Sequence, residues 1–244
     1  MLFRLLNGPV GTAPSARFDE SLITLAADYG PVASIWEAEQ GLVVPRTYQR
    51  HERFNEACQL FTEQAWPITV RLSGGGIVPQ GPGIINVSLA YPVDGLPLDH
   101  SNAAYERVCG IIQAALHKQN IKTQPQAVSG SFCDGRYNLA WGRGNNARKV
   151  VGTAQLWRRI TPTPPAATSS VQIVLVHALI LAAIDVAAIT ARINQFEQLL
   201  DSGNHYDANR VASLHECQTA PARYSAEAFV GVLTGLLMQE FKAG

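Results

Sequence analysis

The chain has 244 residues, of which 47% are hydrophobic, so it is long enough for one large domain with a sizeable core. Nineteen Lys and Arg residues balance nineteen Asp and Glu residues. Because these charges balance, the net charge of the protein does not favour binding to nucleic acid or to an anionic membrane.

The first third of the chain alternates helical and strand-like patterns. Apolar residues at helical spacing from Phe18 end on Gly30, a typical C-terminal cap for a helix. Apolar runs rich in β-branched residues and bounded by Gly or Pro predict strands. The patterns place helices at 18–30 and 53–61, and strands at 31–37, 41–45, 66–70 and 84–89.

The segment between the last two of these strands holds five glycines and two prolines within ten residues. Gly74, Gly75 and Gly76 have no Cβ, so their backbone can take positive φ and lie directly against a ligand. Arg71, just before them, offers a planar cation for a carboxylate or phosphate. The segment predicts a cradle for an elongated acyl or acyl-phosphate group, with a plain surface loop as the alternative. The residues that follow match neither the P-loop nor the dinucleotide fingerprint.

The rest of the chain includes one long apolar run at residues 171–191. It has the length of a membrane span, but His177 and Asp185 lie inside it, where lipid would make them costly. Its composition changes from β-branched to alanine-rich, which favours a buried strand followed by a helix. The patterns place helices at 101–119, 182–200 and 225–242, strands at 136–141, 148–157 and 171–177, and loops at 91–97, 142–147, 160–170 and 202–207.

The interleaving of these elements predicts the fold class. Many connections are hairpin-like rather than crossovers, so we expect an α+β fold with a central mixed or antiparallel sheet flanked by helices. The last 40 or so residues are predicted to form a small C-terminal appendage.

Two residues stand out as candidates for chemistry. Lys149 lies on an apolar strand, and a buried lysine there needs an anionic partner, whereas an edge lysine would be solvated. Cys133 lies in a polar, glycine-flanked turn, where a reactive thiol can meet a substrate. A symmetric hairpin places Cys133 opposite Gln155, roughly 20 Å along the ladder from Lys149 at ~3.3 Å per residue. The segment 129–134 must therefore curl back if both residues are to touch one substrate.

The other cysteines and the histidines carry weaker signals. Cys58, Cys109 and Cys217 form no metal-ligand pair with Cys133 or each other, and the apolar positions of Cys58 and Cys109 indicate packing. Free thiols and the lack of a secretory leader predict a cytoplasmic protein. His177 is typical of a satisfied core histidine, although its ring could orient a substrate carbonyl. The histidine spacing predicts no metal site.

Five motifs, taken together, resemble the biotin/lipoate protein ligase superfamily, specifically its lipoate-protein ligase A and octanoyltransferase branch. The order and approximate spacing of the motifs match over about residues 18–215. The motifs are RLSGGGIV from Arg71, GPG at 81–83, GRYNL at 135–139, RKVVGTAQ at 148–155 and HALIL from His177.

The resemblance implies a catalytic domain like those of biotin ligases and class II aminoacyl-tRNA synthetases. That domain would cover residues 1–200, with 201–244 as its C-terminal helical extension, and a tunnel would hold the octanoyl or lipoyl chain. Lys149, at the activated carboxyl end, and Cys133 are the implied catalytic residues. The implied substrate-binding residues are Arg71, Ser73, Gly74, Gly75, Gly76, Gln80, Gly83, Asn86, Arg136, Gly152, Thr153, Ala154 and His177.

The resemblance leaves three functions open. An octanoyltransferase would take octanoyl from acyl carrier protein onto Cys133 and pass it to a lysine of a lipoyl domain or glycine-cleavage carrier protein, without a cofactor. A ligase would activate free lipoate with ATP and Mg²⁺, and biotin ligation is a more distant variant. A catalytically silent member would only bind a lipoylated or biotinylated partner. Gln80 replaces the histidine usual in ligases, and the 81–83 loop is closer to the octanoyltransferase form, so transfer is favoured.

Overall fold

The computed structural model describes residues 1–6, 17–160, 171–218 and 224–243. Within these ranges the chain forms five α-helices and ten strands, the α+β composition expected from the sequence. The helices are α1 (Phe18–Tyr29), α2 (Phe54–Glu63), α3 (Pro97–His117), α4 (Val186–Leu199) and α5 (Ala226–Ala243). The strands are β1 (Arg4–Leu6), β2 (Val32–Trp36), β3 (Gly41–Pro45), β4 (Ile68–Arg71), β5 (Val78–Gln80), β6 (Ile84–Asp94), β7 (Thr123–Pro125), β8 (Leu139–Trp141), β9 (Arg148–Ile160) and β10 (Val171–Leu181).

Seven of the strands form one mixed sheet in the order β1-β2-β6-β10-β9-β8-β7. β1 and β2 are parallel, and every other neighbouring pair in this sheet is antiparallel. β6 and β10 are long, central and almost wholly buried, which explains their continuous apolar sequences. The central mixed sheet predicted from the sequence is therefore confirmed.

A second sheet of three short strands has the order β4-β3-β5, with β3 parallel to β4 and antiparallel to β5. Its apolar side chains join those of α2 and α4 in one buried cluster that includes Leu42, Val44, Phe61 and Phe196. Leu179 and Leu181 of β10 belong to the same cluster. The small sheet therefore packs on one end of the large one.

Side chains of β10 alternate between the two faces of the large sheet, as the period of a strand requires. Val174, Val176 and Ile180 pack with α3 and α5 on one face. On the other face, Ile173 and Leu175 pack against α1, while Leu179 packs in the cluster of the small sheet. His177 falls between these two apolar groups, and the polar site described below is built around it.

Several predicted boundaries are corrected by the structure. β6 continues to Asp94 because it stays paired with β10, so the loop predicted at 91–97 begins too early. α3 begins at Pro97 rather than Ser101, since proline at the first helical position already has a helical φ. α4 begins at Val186, after Asp185 caps it by accepting a hydrogen bond from the Ala188 amide. β5 lies inside the segment predicted as an unbroken loop.

The hairpin prediction is right in its pairing but too long on one side. β8 covers only Leu139–Trp141, and a register shift interrupts its pairing with β9 between Leu139 and Ala140. The chain before β8 leaves the ladder and turns back towards Lys149. The loop predicted at 160–170 lies, after Ile160, outside the described residues.

The C-terminal residues pack in the main core. Phe229, Leu233 and Leu237 of α5 belong to the same buried cluster as α3 and the large sheet. The boundary at residue 200 stays a prediction. Among the described helices, none combines the length and the apolar character that a membrane crossing requires.

Candidate active site

The candidate site lies on the face of the large sheet that carries α1 and the small sheet. Cross-strand pairing aligns Ser34, Ser88, His177 and Ala154 in one row of adjacent residues. The next row on the same face holds Trp36, Asn86, Leu179 and Gly152. Gly152 and Ala154 are small, so β9 leaves open space in front of both rows.

A pocket with an empty volume of about 460 Å³, its mouth included, occupies this space. Apolar side chains from both sheets make much of its wall, and polar groups gather at a few points. The lining residues are Asp19, Trp36, Val43, Arg71, Val78, Gln80, Asn86, Cys133, Gly152, Thr153, Ala154, His177, Ala178 and Leu179.

His177 is fixed from both sides of its ring. Nδ1 lies 2.5 Å from Asp19 Oδ2, and Nε2 lies 3.0 Å from Ser73 Oγ. The other oxygen of Asp19 accepts a hydrogen bond of 2.5 Å from Ser88 Oγ, which itself accepts one from the indole of Trp36. Asp19 and Ser73 are each only 4% exposed. A buried, hydrogen-bonded chain of five side chains therefore reaches the pocket.

Arg71 holds the glycine-rich loop rather than projecting into an open cradle. Its Nη2 donates to the carbonyls of Gly74 and Gly76 at 3.0 and 2.7 Å, and its Nη1 donates to Val43 at 3.3 Å. Burial lowers the pKa of Arg71, while the neighbouring Cys133 thiol acts in the opposite direction. Nε is buried without a partner among the described residues, so one donor of this cation stays unused beside the pocket.

The glycine triplet meets Cys133 and does not line the pocket. The Gly76 amide donates to Cys133 Sγ at 3.1 Å. Gly75 has a φ of +106°, and a Cβ there would lie 2.9 Å from the same sulfur. A Cβ at Gly76 would lie 3.3 Å from Cys133 Cα. Glycine is therefore needed here so that the loop backbone can lie directly against the thiol, while Gly74 is exposed with open space around it.

Cys133 is half-buried at the pocket wall and has a φ of +49°, an uncommon conformation for a residue with a side chain. Two hydrogen bonds to its carbonyl hold it there. Lys149 Nζ and Asn138 Nδ2 each donate to that oxygen at 2.9 Å. Strain of this kind concentrates at functional sites, where the surrounding structure enforces it.

Lys149 is completely buried, and its hydrogen-bond partners within the protein are backbone carbonyls. Its ammonium donates to the carbonyls of Phe132 and Cys133 and lies 5.0 Å from the centre of the Phe132 ring. Within the described ranges no carboxylate forms an ion pair with it, and the anionic partner expected for it, the acyl or phosphate group of a substrate, stays a prediction. Burial lowers the pKa of Lys149, whereas Cys133 and Asp134 act in the opposite direction. The nearby Arg71 cation also lowers this pKa. Gly152 makes room for this ammonium, since a Cβ there would lie 3.1 Å from Nζ.

Gln80 and Asn86 join the two sheets at the pocket. Their side-chain amides form two reciprocal hydrogen bonds of 2.8 and 2.9 Å, and both residues are buried. The Asn86 amide also lies 3.4 Å from the carbonyl of Trp36. Each amide keeps further hydrogen-bonding capacity towards the pocket.

Besides the glycine triplet, three predicted binding residues lie outside the pocket lining: Arg136, Gly83, and Ser73, which bonds to His177. Arg136 is exposed, stacks on Tyr137 and donates to Asn102. Gly83 has a φ of +82°, and a Cβ there would lie 2.0 Å from the carbonyl oxygen of Ala183. Its lack of a side chain therefore serves the packing of the turn. Thr153, by contrast, lines the pocket and donates through its backbone amide to Asn138.

Sequence reasoning missed Asp19, Ser88 and Trp36 as site residues. Asp19 lies on the first turn of an amphipathic helix, where acidic residues are common for reasons of helix stability alone. The sequence feature that could have identified Asp19 is its position next to Phe18, on the apolar side of that helix. Among the described residues, no group of three or more His, Cys, Asp or Glu side chains is arranged to hold a metal ion.

The sequence model of a protein family described as the lipoyl protein ligase A/B catalytic domain matches residues 13–230. This match covers most of the chain, including every described residue of the pocket. The chain therefore belongs to the lipoyl protein ligase A/B catalytic domain family. The resemblance seen in its motifs is confirmed.

Relatives among curated proteins fall into two groups. An uncharacterized protein of Cupriavidus necator is 47% identical over 216 residues, which are 88% of this chain and 85% of the relative. An octanoyl-[GcvH]:protein N-octanoyltransferase of Kyrpidia tusciae is 31% identical over 150 residues, 61% of this chain. The match spans 49% of that octanoyltransferase, about half of its length.

Solved structures show the same fold. A bi-partite lipoate protein ligase from Thermoplasma acidophilum, studied with its E2 lipoyl domain, matches with a TM-score of 0.62 and 15% identity over 100% of this chain and 83% of that one. A lipoate-protein ligase A bound with ATP matches with a TM-score of 0.62 and 14% identity. The match covers 99% of this chain and 83% of the ligase chain. At these identities the likeness concerns the fold.

Proposed function

We propose that this protein transfers an octanoyl or lipoyl group to the target lysine of a lipoyl domain or a glycine-cleavage-type carrier protein. Its membership of the lipoyl protein ligase A/B family and its similarity to octanoyl-[GcvH]:protein N-octanoyltransferases support this proposal. The pocket between the two sheets, with its largely apolar wall, suits a medium-length acyl chain.

The observation that carries the mechanism is the setting of Cys133. Among the four cysteines it alone lines the pocket, and its sulfur faces the Gly76 amide at 3.1 Å. Cys109 and Cys217 are 1% exposed, and Cys58 lies on α2. We therefore assign Cys133 as the nucleophile that carries the acyl group between donor and acceptor.

The transfer balances in two steps. In the first, Cys133 Sγ bonds to the acyl carbonyl and the bond from that carbonyl to the donor's leaving group breaks. That group, a thiol in octanoyl-acyl carrier protein or a lysine amine in octanoyl-[GcvH], takes the proton that Cys133 loses. In the second, the lysine amine bonds to the carbonyl, the bond to Sγ breaks, and one amine proton returns to the sulfur. Each step passes through an oxyanion, and the Gly76 amide and the Arg71 cation lie beside the sulfur to stabilise it.

Lys149 acts on this chemistry through the Cys133 loop. Its ammonium holds the carbonyls of Phe132 and Cys133, and so keeps the thiol in its left-handed conformation at the pocket wall. Direct contact between Lys149 and the acyl carbonyl stays a prediction, as do the binding roles of Ser73, Gly74 and Arg136. The names of the octanoyltransferase relatives point to octanoyl-[GcvH] as donor, whereas the sequence interpretation favoured octanoyl-acyl carrier protein.

The proposed transfer needs no cofactor, whereas the ligase route needs ATP and Mg²⁺, and one assay compares them. The full-length protein is incubated with a lipoyl domain and one acyl source at a time. The sources are octanoyl-acyl carrier protein, octanoyl-[GcvH], and free octanoate or lipoate with ATP and Mg²⁺. Acylation of the lipoyl domain is followed by mass spectrometry for the wild type and for Cys133→Ala.

We expect the wild type to acylate the domain from at least one protein-bound donor without ATP, and Cys133→Ala to lose this activity by at least about 10³-fold, because no acyl-enzyme can form. Transfer by Cys133→Ala at the wild-type rate would refute the thioester route. Acylation only from free acid with ATP would identify a ligase. No acylation from any source would identify a silent binding protein.

A further inference from the structure

His177 occupies a position on β10 that an apolar residue would fill in an ordinary buried strand. Its neighbours on the same face, Leu175 and Leu179, are apolar and nearly fully buried. A polar ring between them costs free energy unless it is hydrogen-bonded, and here both ring nitrogens are. The structure has also placed a buried carboxylate, Asp19 from the distant α1, against it. Such an arrangement serves a purpose other than packing.

The hydrogen bonds define which nitrogen of His177 is free to accept a proton. An ionised carboxylate only accepts hydrogen bonds, so we assign the hydrogen between the ring and Asp19 to Nδ1, which bonds to Oδ2. Nε2 then has the lone pair, and Ser73 Oγ donates to it at 3.0 Å. The basic nitrogen of the ring is therefore the one directed to the glycine-rich loop, which also contacts the Cys133 sulfur.

We propose that His177 is the general base for the lysine amine in the second step of acyl transfer, with Asp19 and Ser73 as positioning residues. This inference rests on the function proposed above and assigns its proton transfer to a particular atom. His177 and Cys133 line one pocket, so the amine that attacks the thioester enters a space that both residues border.

Lys149 is poorly placed for the same task. Its ammonium is fully buried, donates to two carbonyls of the Cys133 loop and does not line the pocket. A lysine can accept a proton only after it has lost one, and in this position that loss would weaken the hold on Phe132 and Cys133. The structure thus separates two roles: Lys149 shapes the loop and His177 moves the proton.

The step balances as follows. The Ser73 hydroxyl turns away from Nε2, the lysine nitrogen bonds to the acyl carbon, and Nε2 takes one proton from that nitrogen. The carbon–sulfur bond to Cys133 then breaks, and the imidazolium returns the proton to Sγ. The products are the acylated lysine and the free thiol, with His177 neutral again. Asp19 stabilises the imidazolium while it carries charge.

The test separates the two half-reactions. Wild type, His177→Gln and Asp19→Asn are acylated on Cys133 with the thioester donor octanoyl-acyl carrier protein, whose leaving thiol needs no general acid. Each is then freed of donor and mixed with a lipoyl domain. A second sample of each acyl-enzyme is mixed with hydroxylamine, whose amine is neutral near pH 7 and needs no base. The matched control is His117→Gln, which alters an exposed histidine on α3 away from the pocket.

We expect His177→Gln to slow transfer to the lipoyl domain by about 10²–10⁴-fold. Acylation of Cys133 and cleavage by hydroxylamine should stay within about threefold of the wild type, and His117→Gln should match the wild type throughout. Asp19→Asn should also slow transfer to the lipoyl domain selectively, but by a smaller factor. If His177→Gln does not fold, Asp19→Asn is compared with the wild type in its place.

Three results would overturn the inference. The first is transfer to the lipoyl domain at the wild-type rate in both variants. The second is an equal loss of both half-reactions in a folded variant. The third is a loss of hydroxylamine cleavage together with the loss of transfer to lysine. The last two would show that His177 supports the structure of the site rather than moving a proton. A wild type that forms no acyl-enzyme would instead refute the proposed function.

Discussion

At the scale of single residues, the site depends on the conformation of Cys133. Its φ of +49° turns the thiol to the pocket while its carbonyl turns to Lys149 and Asn138. The sequence indicated a turn, because glycines flank this residue and polar residues surround it. It could not indicate that Lys149 would bind the carbonyl of Cys133 itself, since that contact depends on where the chain leaves the β8–β9 ladder.

The four thiols should differ in reactivity. Burial raises the pKa of Cys58 to about 11 and those of Cys109 and Cys217 to about 12, so these thiols stay protonated near pH 8. Cys133 lines an open pocket. We expect iodoacetamide at pH 8 to modify the native protein once, at Cys133, as read by peptide mass spectrometry.

The control is Cys133→Ala, which should take up no label while native and three labels when unfolded in denaturant. Faster labelling of Cys58 than of Cys133 in the folded wild type would contradict the assigned accessibility. The same would follow if Cys133 were protected until the protein unfolded.

At the scale of elements, three strands, one helix and the loop after β4 build the polar chain around His177. The β-branched run from Val171 predicted β10, and alternation along that strand determines which residues share a face with His177. Asp19 reaches the ring from a helix 158 residues earlier in the chain. No local pattern encodes a contact of that separation. This explains why the residues around His177 indicated only a satisfied core histidine or a ring that orients a ligand.

The amide pair of Gln80 and Asn86 connects β5 of the small sheet to β6 of the large one. Gln80→Leu leaves the buried Asn86 amide without its main partner, so we expect the free energy of unfolding to fall by about 1–3 kcal/mol. Asn86→Leu should act similarly. The double variant should cost less than the sum, because it leaves neither amide unpaired.

Urea unfolding of the four proteins in this cycle measures the coupling between the two side chains. Gln59→Leu, on the exposed face of α2, is the matched control and should change stability by no more than about 0.5 kcal/mol. Additive single effects, with no coupling, would show that the two sheets do not depend on this contact.

At the scale of the whole molecule, the pocket exists because a small sheet packs on one end of a large one. The sequence predicted the α+β class and most elements, since their periodicities are local. It predicted neither the division of strands between two sheets nor the gap between them. The cradle expected at Gly74, Gly75 and Gly76 illustrates the difference. Gly75 and Gly76 allow the loop backbone to approach Cys133, which no local pattern indicated, while contact of the triplet with a ligand stays a prediction.

The family assignment and the geometry meet in a single chemical claim, that the acyl group rests on Cys133 during transfer. Intact mass spectrometry of the full-length protein after brief incubation with an octanoyl donor, without ATP, tests it most directly. We predict one octanoyl group per chain, located on Cys133 by peptide mapping and lost when a lipoyl domain is added. An unmodified protein that still acylates the lipoyl domain, or an octanoyl group found on another residue, would contradict the account.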